Sequence, residues 1–316
     1  MHGRDAPFRQ LPGDRARPAR AFWTAADDGI TLRLAHWPGA ADPQGSILLF
    51  PGRTEYVEKY AQVAGDLSGA GYDVLAIDWR GQGLSDRLLP DARVGHVGDF
   101  SHYQRDVAAM AAAADRMALP RPWHLLAHSM GGCIGLAALH GDLPVASAAF
   151  TAPMWGINLR QMPHGMAVGM AYLAGRLGRG GHPAPGSGGA LGTYVLDESF
   201  GANLLTTDAE AWCRMLREAA AWPDLTLGGA SFGWVGKALN ECSRLSRLPS
   251  PALPALVALG GQERVVSAAA IRDRVARWPA ASLVEFPDAR HEIMMCKPDR
   301  RAAFLEAALS LFGTAS

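Results

Sequence analysis

A short segment around one serine constrains the fold of this chain more than any other feature. The apolar run 125–127 leads toward Ser129, glycines follow at once, and a helical pattern of apolar residues continues to Leu139. This layout predicts a nucleophile elbow, a sharp turn from a buried strand into a helix that raises a serine hydroxyl above a sheet. Because the turn is strained and the strand and helix pass close together, the residues two positions before and after the serine must be small. They are Ala127 and Gly131.

Strand-like and helix-like patterns alternate on both sides of this segment. Before it, a hairpin signal at 27–29 joins two strand candidates, and buried strands are predicted over 46–50 and 72–77 with a helical stripe after each. After residue 245, a strand, a helix and another strand are followed by a last helix with Pro298 in its first turn. This alternation predicts an α/β fold with a mostly parallel central sheet and helices on both faces.

The alternation stops over residues 155–245, which hold a Met/Gly-rich stretch, a Gly/Pro/Ser loop and one clear helix. Thr207 and Glu210 have the spacing of a capping box at the start of that helix. An insertion at this point is expected to lie over the carboxyl ends of the strands, where α/β folds bind ligands. The predicted organisation is an irregular Arg/Pro-rich arm over 1–20, a core over 21–154 and 246–316, and a mainly helical cap over 155–245.

Charge balance, apolar run length and cysteine spacing limit the partners and the location that the sequence predicts. Lys+Arg and Asp+Glu balance at 30 each, so the charge gives no reason to expect nucleic acid as a partner. The longest apolar run, 166–175, is shorter than the ~18 residues of a membrane-spanning helix, and the polar start has no apolar core of a signal peptide. We therefore predict a cytoplasmic protein with no integral membrane segment. The four cysteines lack the paired spacing of metal ligands, which predicts reduced, buried thiols and no metal site.

A serine hydroxyl is a poor nucleophile unless a base accepts its proton, and that base is in turn oriented by a carboxylate. After a nucleophile elbow, the acid and then the histidine follow in the chain. Glu263 lies on the loop after the predicted strand 253–259, and His291 lies on the loop after the next strand. The sequence therefore predicts Ser129 as nucleophile, Glu263 as orienting acid and His291 as base.

The tetrahedral intermediate of such a reaction needs two backbone N–H donors for its oxyanion. One donor is predicted at Met130, the residue after the nucleophile. The other is predicted at Arg53, in the turn 51–53 that follows an early strand. The side chain of Arg53 has two readings, a contact with a phosphate head group or a solvated surface arginine.

Three segments together resemble one known family. The oxyanion segment 50–55, the Asp-x-x-Gly-x-Gly-x-Ser turn 78–86 and the elbow 127–132 are similar to those of the lysophospholipase/monoacylglycerol-lipase branch of the α/β-hydrolases, also called serine aminopeptidase-like. The resemblance covers roughly residues 29–312. It implies an α/β-hydrolase fold and hydrolysis of a carboxylic ester of an acyl lipid, such as a lysophospholipid or a monoacylglycerol, through an acyl-enzyme and with no cofactor.

The substrate implied is thus a small-molecule acyl ester, and peripheral lipid contact is expected through the cap. Two other functions stay open, an aminopeptidase-like hydrolase and a hydrolase-fold binding protein without catalysis. Several apolar cap residues fall at helical spacing, and Met side chains adapt to flexible chains, so they indicate either an acyl port or ordinary packing. These residues are Met162, Met166, Met170, Leu173 and Leu177.

Three residues compete with the predicted site or adjoin it. A strict Gly-x-Ser-x-Gly occurs around Ser231, but no buried strand leads into it and it lies inside the predicted cap, so context favours Ser129. Asp288 is the alternative acid, although it shares the loop of His291 and is badly placed to reach behind the imidazole ring. His128 adjoins the nucleophile and is predicted to be structural.

Overall fold

A mixed sheet runs through the centre of the molecule. The computed structural model describes residues 4–14, 16–159, 162–185 and 192–315. The strands are β1 Arg20–Ala25, β2 Thr31–Trp37, β3 Gly45–Phe50, β4 Tyr72–Asp78, β5 Trp123–His128, β6 Ser147–Thr151, β7 Ala255–Gly260 and β8 Ala281–Phe286. Within the described ranges these eight form one sheet in the order β1-β2-β4-β3-β5-β6-β7-β8. The β1–β2 and β2–β4 pairs are antiparallel and the other five pairs are parallel, so the predicted mostly parallel sheet is confirmed.

Helices cover both faces of this sheet. They are α1 Ala61–Gly69, α2 His102–Arg116, α3 Met130–Leu139, α4 His164–Arg176, α5 Tyr194–Asp197, α6 Ala209–Ala221, α7 Phe232–Ser246, α8 Ala268–Ala276 and α9 Pro298–Thr314, with short 3-10 helices at Val57–Tyr60, Pro223–Leu225 and Ile293–Met295. One core cluster packs α2, α3, α7 and α8 on the first face, and another packs α1 and α9 on the second. The inner strands β3 to β7 are buried throughout, which explains their nearly continuous apolar sequences.

Helices α4 to α7 lie between β6 and β7, in the region predicted as the cap. The buried side chains of Ala238 and Leu245 on α7 belong to the same core cluster as the sheet. The N-terminal arm pairs with β1 through the Trp23 N–H, which donates to the Arg4 carbonyl at 2.8 Å. Arg214 on α6 contacts Asp14 of the arm. The domain limits at 1–20, 21–154, 155–245 and 246–316 stay a prediction.

The start of α6 differs from the sequence prediction. The capping box of Thr207 and Glu210 is wrong, because Asp208 is the N-cap residue and its carboxylate accepts the N–H groups of Glu210 and Ala211 at 2.8 and 3.2 Å. A carboxylate there also interacts favourably with the positive end of the helix dipole. None of the helices in the described part of the chain is long and apolar enough to cross a bilayer.

Candidate active site

Ser129 lies at the junction of β5 and α3 in a strained backbone conformation. Its φ of 50° and ψ of −117° fall in a region that side-chain-bearing residues rarely occupy. The surrounding structure holds this conformation, because the Ser129 N–H donates to the Thr151 carbonyl at 3.1 Å and the Ser129 carbonyl accepts the Met154 N–H at 2.8 Å. A Cβ on Gly131 would lie 2.1 Å from the Phe50 carbonyl oxygen, so only glycine fits there. The sequence thus folds into the predicted sharp turn.

The three residues predicted as a triad meet in the structure although they are distant in sequence. His291 Nε2 lies 2.9 Å from Ser129 Oγ, and His291 Nδ1 lies 2.8 Å from Glu263 Oε2. Both Ser129 and His291 are buried, at 7% and 3% exposure. With the Nδ1 proton donated to the carboxylate, Nε2 is left as an acceptor for the serine proton.

Glu263 is held as a carboxylate by its surroundings. Burial alone would raise its pKa, but the neighbouring His291 and the N–H groups of Val265 and Val266 outweigh burial and leave the pKa below its usual value. Those two N–H groups donate to Oε1 at 2.6 and 3.0 Å. The alternative acid Asp288 instead pairs with Arg300 at 3.1 Å on the surface, away from the ring of His291.

The two predicted oxyanion donors lie on backbone segments that approach each other closely. Within the described ranges, neither the Arg53 N–H nor the Met130 N–H donates a hydrogen bond to another residue. The first turn of α3 touches the backbone of 50–51, as the close approach at Gly131 shows. Both N–H groups are thus without an acceptor in the described part of the chain, and their role as oxyanion donors stays a prediction.

Gln82 clamps the loop that carries Arg53. Its Oε1 accepts the Thr54 N–H at 3.0 Å, and its Nε2 donates to the Gly52 carbonyl at 3.0 Å. Thr54 has a φ of 64°, an unusual value that this clamp stabilises. The sequence pattern identified 78–86 only as a structural turn, and no signal in it pointed to contact with the oxyanion loop.

A buried group of four charged side chains lies directly behind Ser129 and His291. Lys59 Nζ contacts Glu55 Oε1 at 2.5 Å and Glu292 Oε1 at 2.7 Å, and His128 Nε2 lies 3.4 Å from Glu292 Oε2. Each side chain is at most 8% exposed. Because Glu55 follows the oxyanion turn and Glu292 follows His291, Lys59 joins the two loops. We call these residues the buried charge cluster; sequence analysis missed it except for His128.

Attraction between opposite charges shifts the pKa values of the side chains in this cluster. Burial would raise the pKa of Glu292, but the positive charges of Lys59 and His128 hold it well below its usual value. Burial would lower the pKa of His128, but the charges of Glu292 and Glu55 raise it instead. His128 Nδ1 also lies 2.9 Å from Thr151 Oγ1, which agrees with its predicted structural role. Potential ligand atoms of Glu55, His128 and Glu292 lie within 4.8 Å of one another, but the Lys59 ammonium already supplies the cation there.

A cavity of about 560 Å³ opens onto Ser129 and His291. Its lining is mostly apolar and comes from the core and from the region between β6 and β7. The apolar lining residues include Met154, Ile157, Leu159, Met162, Met170, Leu204, Leu205, Met215, Leu227, Phe232 and Val266. Of the predicted Met-rich stripe, Met162 and Met170 line the cavity, whereas Met166, Leu173 and Leu177 do not.

Ser231, the alternative nucleophile, makes the contacts of a helix N-cap residue. It is fully buried and is the N-cap of α7, where its Oγ accepts the Trp234 N–H at 3.0 Å. Its Oγ also lies 2.7 Å from His96 Nδ1, but no carboxylate in the described part of the chain hydrogen-bonds to His96. The strict Gly-x-Ser-x-Gly pattern therefore marks a helix cap.

Comparison with known proteins identifies the family. The model of the family described as "Serine aminopeptidase, S33" matches residues 41–297. The chain belongs to this family. It is 35% identical to lysophospholipase L2 of Escherichia coli (strain K12), over 93% of this chain and 90% of that protein. It is 27% identical to monoacylglycerol lipase of Mycolicibacterium smegmatis, over 84% of this chain and 87% of that protein.

Solved structures agree on the fold of this S33 family member. A soluble variant of monoglyceride lipase from Saccharomyces cerevisiae, in complex with a substrate analogue, superposes with a TM-score of 0.73 at 16% identity, covering 98% of this chain and all of that one. At this identity the likeness shows the fold alone. The predicted α/β-hydrolase fold and the resemblance to the lysophospholipase/monoacylglycerol-lipase branch are confirmed.

Proposed function

We propose that this protein hydrolyses a carboxylic ester of an acyl lipid, of the lysophospholipid or monoacylglycerol type, through an acyl-enzyme on Ser129. The observation that carries the proposal is the hydrogen-bonded series Ser129–His291–Glu263, at 2.9 and 2.8 Å, opening onto a largely apolar cavity. The relatives named lysophospholipase L2 and monoacylglycerol lipase support the same chemistry.

The proposed reaction has two acyl-transfer steps. Ser129 Oγ attacks the ester carbonyl while His291 Nε2 accepts its proton, and the N–H groups of Arg53 and Met130 stabilise the oxyanion. The intermediate collapses when His291 returns the proton to the departing glycerol oxygen. Water then attacks the acyl-enzyme by the reverse route, with His291 again as base, and the fatty acid leaves. Glu263 orients the ring throughout, and these steps use only groups of this chain and water.

The aminopeptidase-like alternative needs an anionic partner for the α-amino group of a peptide. Among the described residues that line the cavity, two carry a carboxylate, Glu55 and Glu292, and both already contact Lys59 Nζ. A substrate ammonium would have to compete with this buried lysine. The charge distribution therefore disfavours the cationic N-terminus of a peptide as substrate.

A substrate panel tests the proposal. We expect hydrolysis of 1-oleoyl-lysophosphatidylglycerol or monooleoylglycerol, with fatty-acid release, and no release from aminoacyl-p-nitroanilides. The expected difference arises because an acyl chain fits the apolar cavity and a cationic terminus finds no free carboxylate. Cleavage of the anilides without cleavage of either lipid would favour the peptidase alternative.

The reaction should be slower in acid than near neutral pH. Between about pH 8 and about pH 5, kcat/KM is expected to fall, because the proposed general base must be a neutral imidazole to accept the serine proton. Glu263 does not cause this decline, since its pKa lies below its usual value and it stays ionised. The measurement is a kcat/KM profile with a soluble p-nitrophenyl ester, and a flat profile would contradict the role of His291.

We also propose that the region over the cavity contacts lipid peripherally and that the protein is cytoplasmic. In the described part of the chain, the exposed large apolar residues all lie between 166 and 200: Met166, Met170, Tyr172, Leu173, Leu177, Leu196 and Phe200. Such a patch beside the cavity suits contact with a lipid surface. Vesicle flotation measures this contact. Four free cysteines support a reducing compartment; Cys133, Cys242 and Cys296 are buried, whereas the prediction of burial is wrong for Cys213, which is exposed.

A further inference from the structure

In the described part of the chain, the guanidinium of Arg53 has no carboxylate as a counter-ion. Nη2 donates to the Gly228 carbonyl at 3.0 Å, and the guanidinium carbon lies 5.1 Å from the centroid of the Trp234 ring. Nε is buried and has no hydrogen-bond partner, and no carboxylate in the described ranges forms an ion pair with Arg53. A buried charge without a partner is costly, so the feature calls for an explanation.

Fully buried arginines elsewhere in the described part of the chain have partners within the protein. Arg33 pairs with Glu58 and Asp78, both at 2.7 Å, and Arg80 pairs with Asp28 and Asp106, also at 2.7 Å. Arg274 has no carboxylate partner but donates to the carbonyls of Leu245 and Leu248. Arg53 differs from these because its buried Nε has no partner and its side chain borders the cavity, which leaves a donor for a ligand.

The Arg53 side chain borders the cavity that contains the predicted nucleophile. Arg53 lines the same cavity as Ser129, and its own N–H is the proposed oxyanion donor. Burial lowers the pKa of Arg53 to about 10, so the side chain still carries its charge near neutral pH. The carboxylates of the inner wall, Glu55 and Glu292, already contact Lys59, and Glu292 also lies beside His128. Of the two arginines that line the described part of the cavity, Arg264 is exposed and Arg53 is the one whose Nε is buried without a partner.

We infer that the Arg53 side chain binds the phosphate of a lysophospholipid and is the residue that sets preference for that substrate over a neutral monoacylglycerol. The inference rests on the proposed function, since it assigns the head-group end of the same substrate. A guanidinium suits this task because its planar donors match phosphate oxygens in pairs. The aromatic face of Trp234 holds the guanidinium in place from the other side.

The test compares two substrates with the same acyl chain, 1-oleoyl-lysophosphatidylglycerol and monooleoylglycerol, below their critical micelle concentrations. The variant is Arg53→Met, which keeps the backbone N–H and an unbranched chain over Trp234. The ratio of the two kcat/KM values, lysophospholipid over monoacylglycerol, is expected to fall by about 10- to 100-fold, the usual effect of losing a charged hydrogen bond. Any loss through the oxyanion loop is common to both substrates and cancels in this ratio.

Two further variants control for charge and for location. Arg53→Lys keeps the charge but loses the paired donors, so its ratio should lie between those of the wild type and Arg53→Met. Arg264→Met removes the exposed arginine at the cavity and should leave the ratio within about twofold, because an exposed charge interacts weakly. A fall in the ratio for Arg264→Met but not for Arg53→Met would overturn the assignment.

A binding measurement separates this inference from a merely structural role. A non-hydrolysable ether analogue of lysophosphatidylglycerol should raise the Tm of the wild type and not that of Arg53→Met, whereas an alkylglycerol should act equally on both. Equal loss of both activities with a lowered Tm would mean that Arg53 only supports the fold. Wild-type hydrolysis of monooleoylglycerol alone would overturn the inference and leave the proposed function standing, and hydrolysis of neither lipid would remove the proposed function itself.

Discussion

Ser129→Ala is expected to lower kcat for ester hydrolysis on the order of 10⁶-fold and to abolish labelling by a fluorophosphonate probe. The alanine keeps the backbone of the elbow but removes the oxygen that His291 Nε2 contacts at 2.9 Å. Without that oxygen no acyl-enzyme forms, and the remaining oxyanion donors give only weak catalysis. The measurements are steady-state hydrolysis of a p-nitrophenyl ester and gel detection of the labelled chain.

Ser231→Ala is the matched control for this prediction. Ser231 also contacts a histidine and lies in a strict Gly-x-Ser-x-Gly pattern, but it caps α7. Its replacement should reduce the free energy of unfolding by about 1 kcal/mol and leave labelling intact. Labelling that persists in Ser129→Ala and disappears in Ser231→Ala would reverse the two assignments. A wild type that takes up no label would favour a binding protein without catalysis.

Lys59→Met is expected to reduce the free energy of unfolding by about 3–5 kcal/mol, the cost of breaking a buried ion pair from one side. In the wild type, Lys59 Nζ lies 2.5 Å from Glu55 and 2.7 Å from Glu292. The substitution leaves both carboxylates buried without this shared cation. It also removes the link between the oxyanion loop and the loop of His291, so kcat should fall as well. Urea denaturation followed by tryptophan fluorescence measures the first effect.

Two comparisons test whether disruption of the buried charge cluster causes the loss of stability in Lys59→Met. Lys59→Met combined with Glu292→Gln should recover part of the lost stability, because one of the two uncompensated charges is removed with the lysine. Lys297→Met, which replaces a lysine at an exposed position, should change the free energy of unfolding by less than about 0.5 kcal/mol. Equal effects at Lys59 and Lys297 would contradict the argument.

Much of the fold was predictable because the local spacing of apolar residues and turn residues specifies it. The hairpin before β2, the buried strands and the position of Pro298 at the start of α9 all follow from turn residues and apolar spacing. The N-cap of α6 was misassigned by one residue, since Thr207 and Asp208 are both good capping residues and only the backbone geometry distinguishes them.

The sequence by itself determined the elbow, the chain order of Ser129, Glu263 and His291, and the sheet that brings their loops together. Each of these depends on residue types at short fixed spacing or at strand ends. Only the tertiary structure decided how the charged residues around the site are partnered. Lys59 contacts Glu292 across 233 residues, and Arg53 contacts a carbonyl across 175 residues but no carboxylate among the residues that the structure describes. Periodicity reports which face of an element is buried, whereas the partner of a buried charge is set by the packing of elements that are distant in the chain.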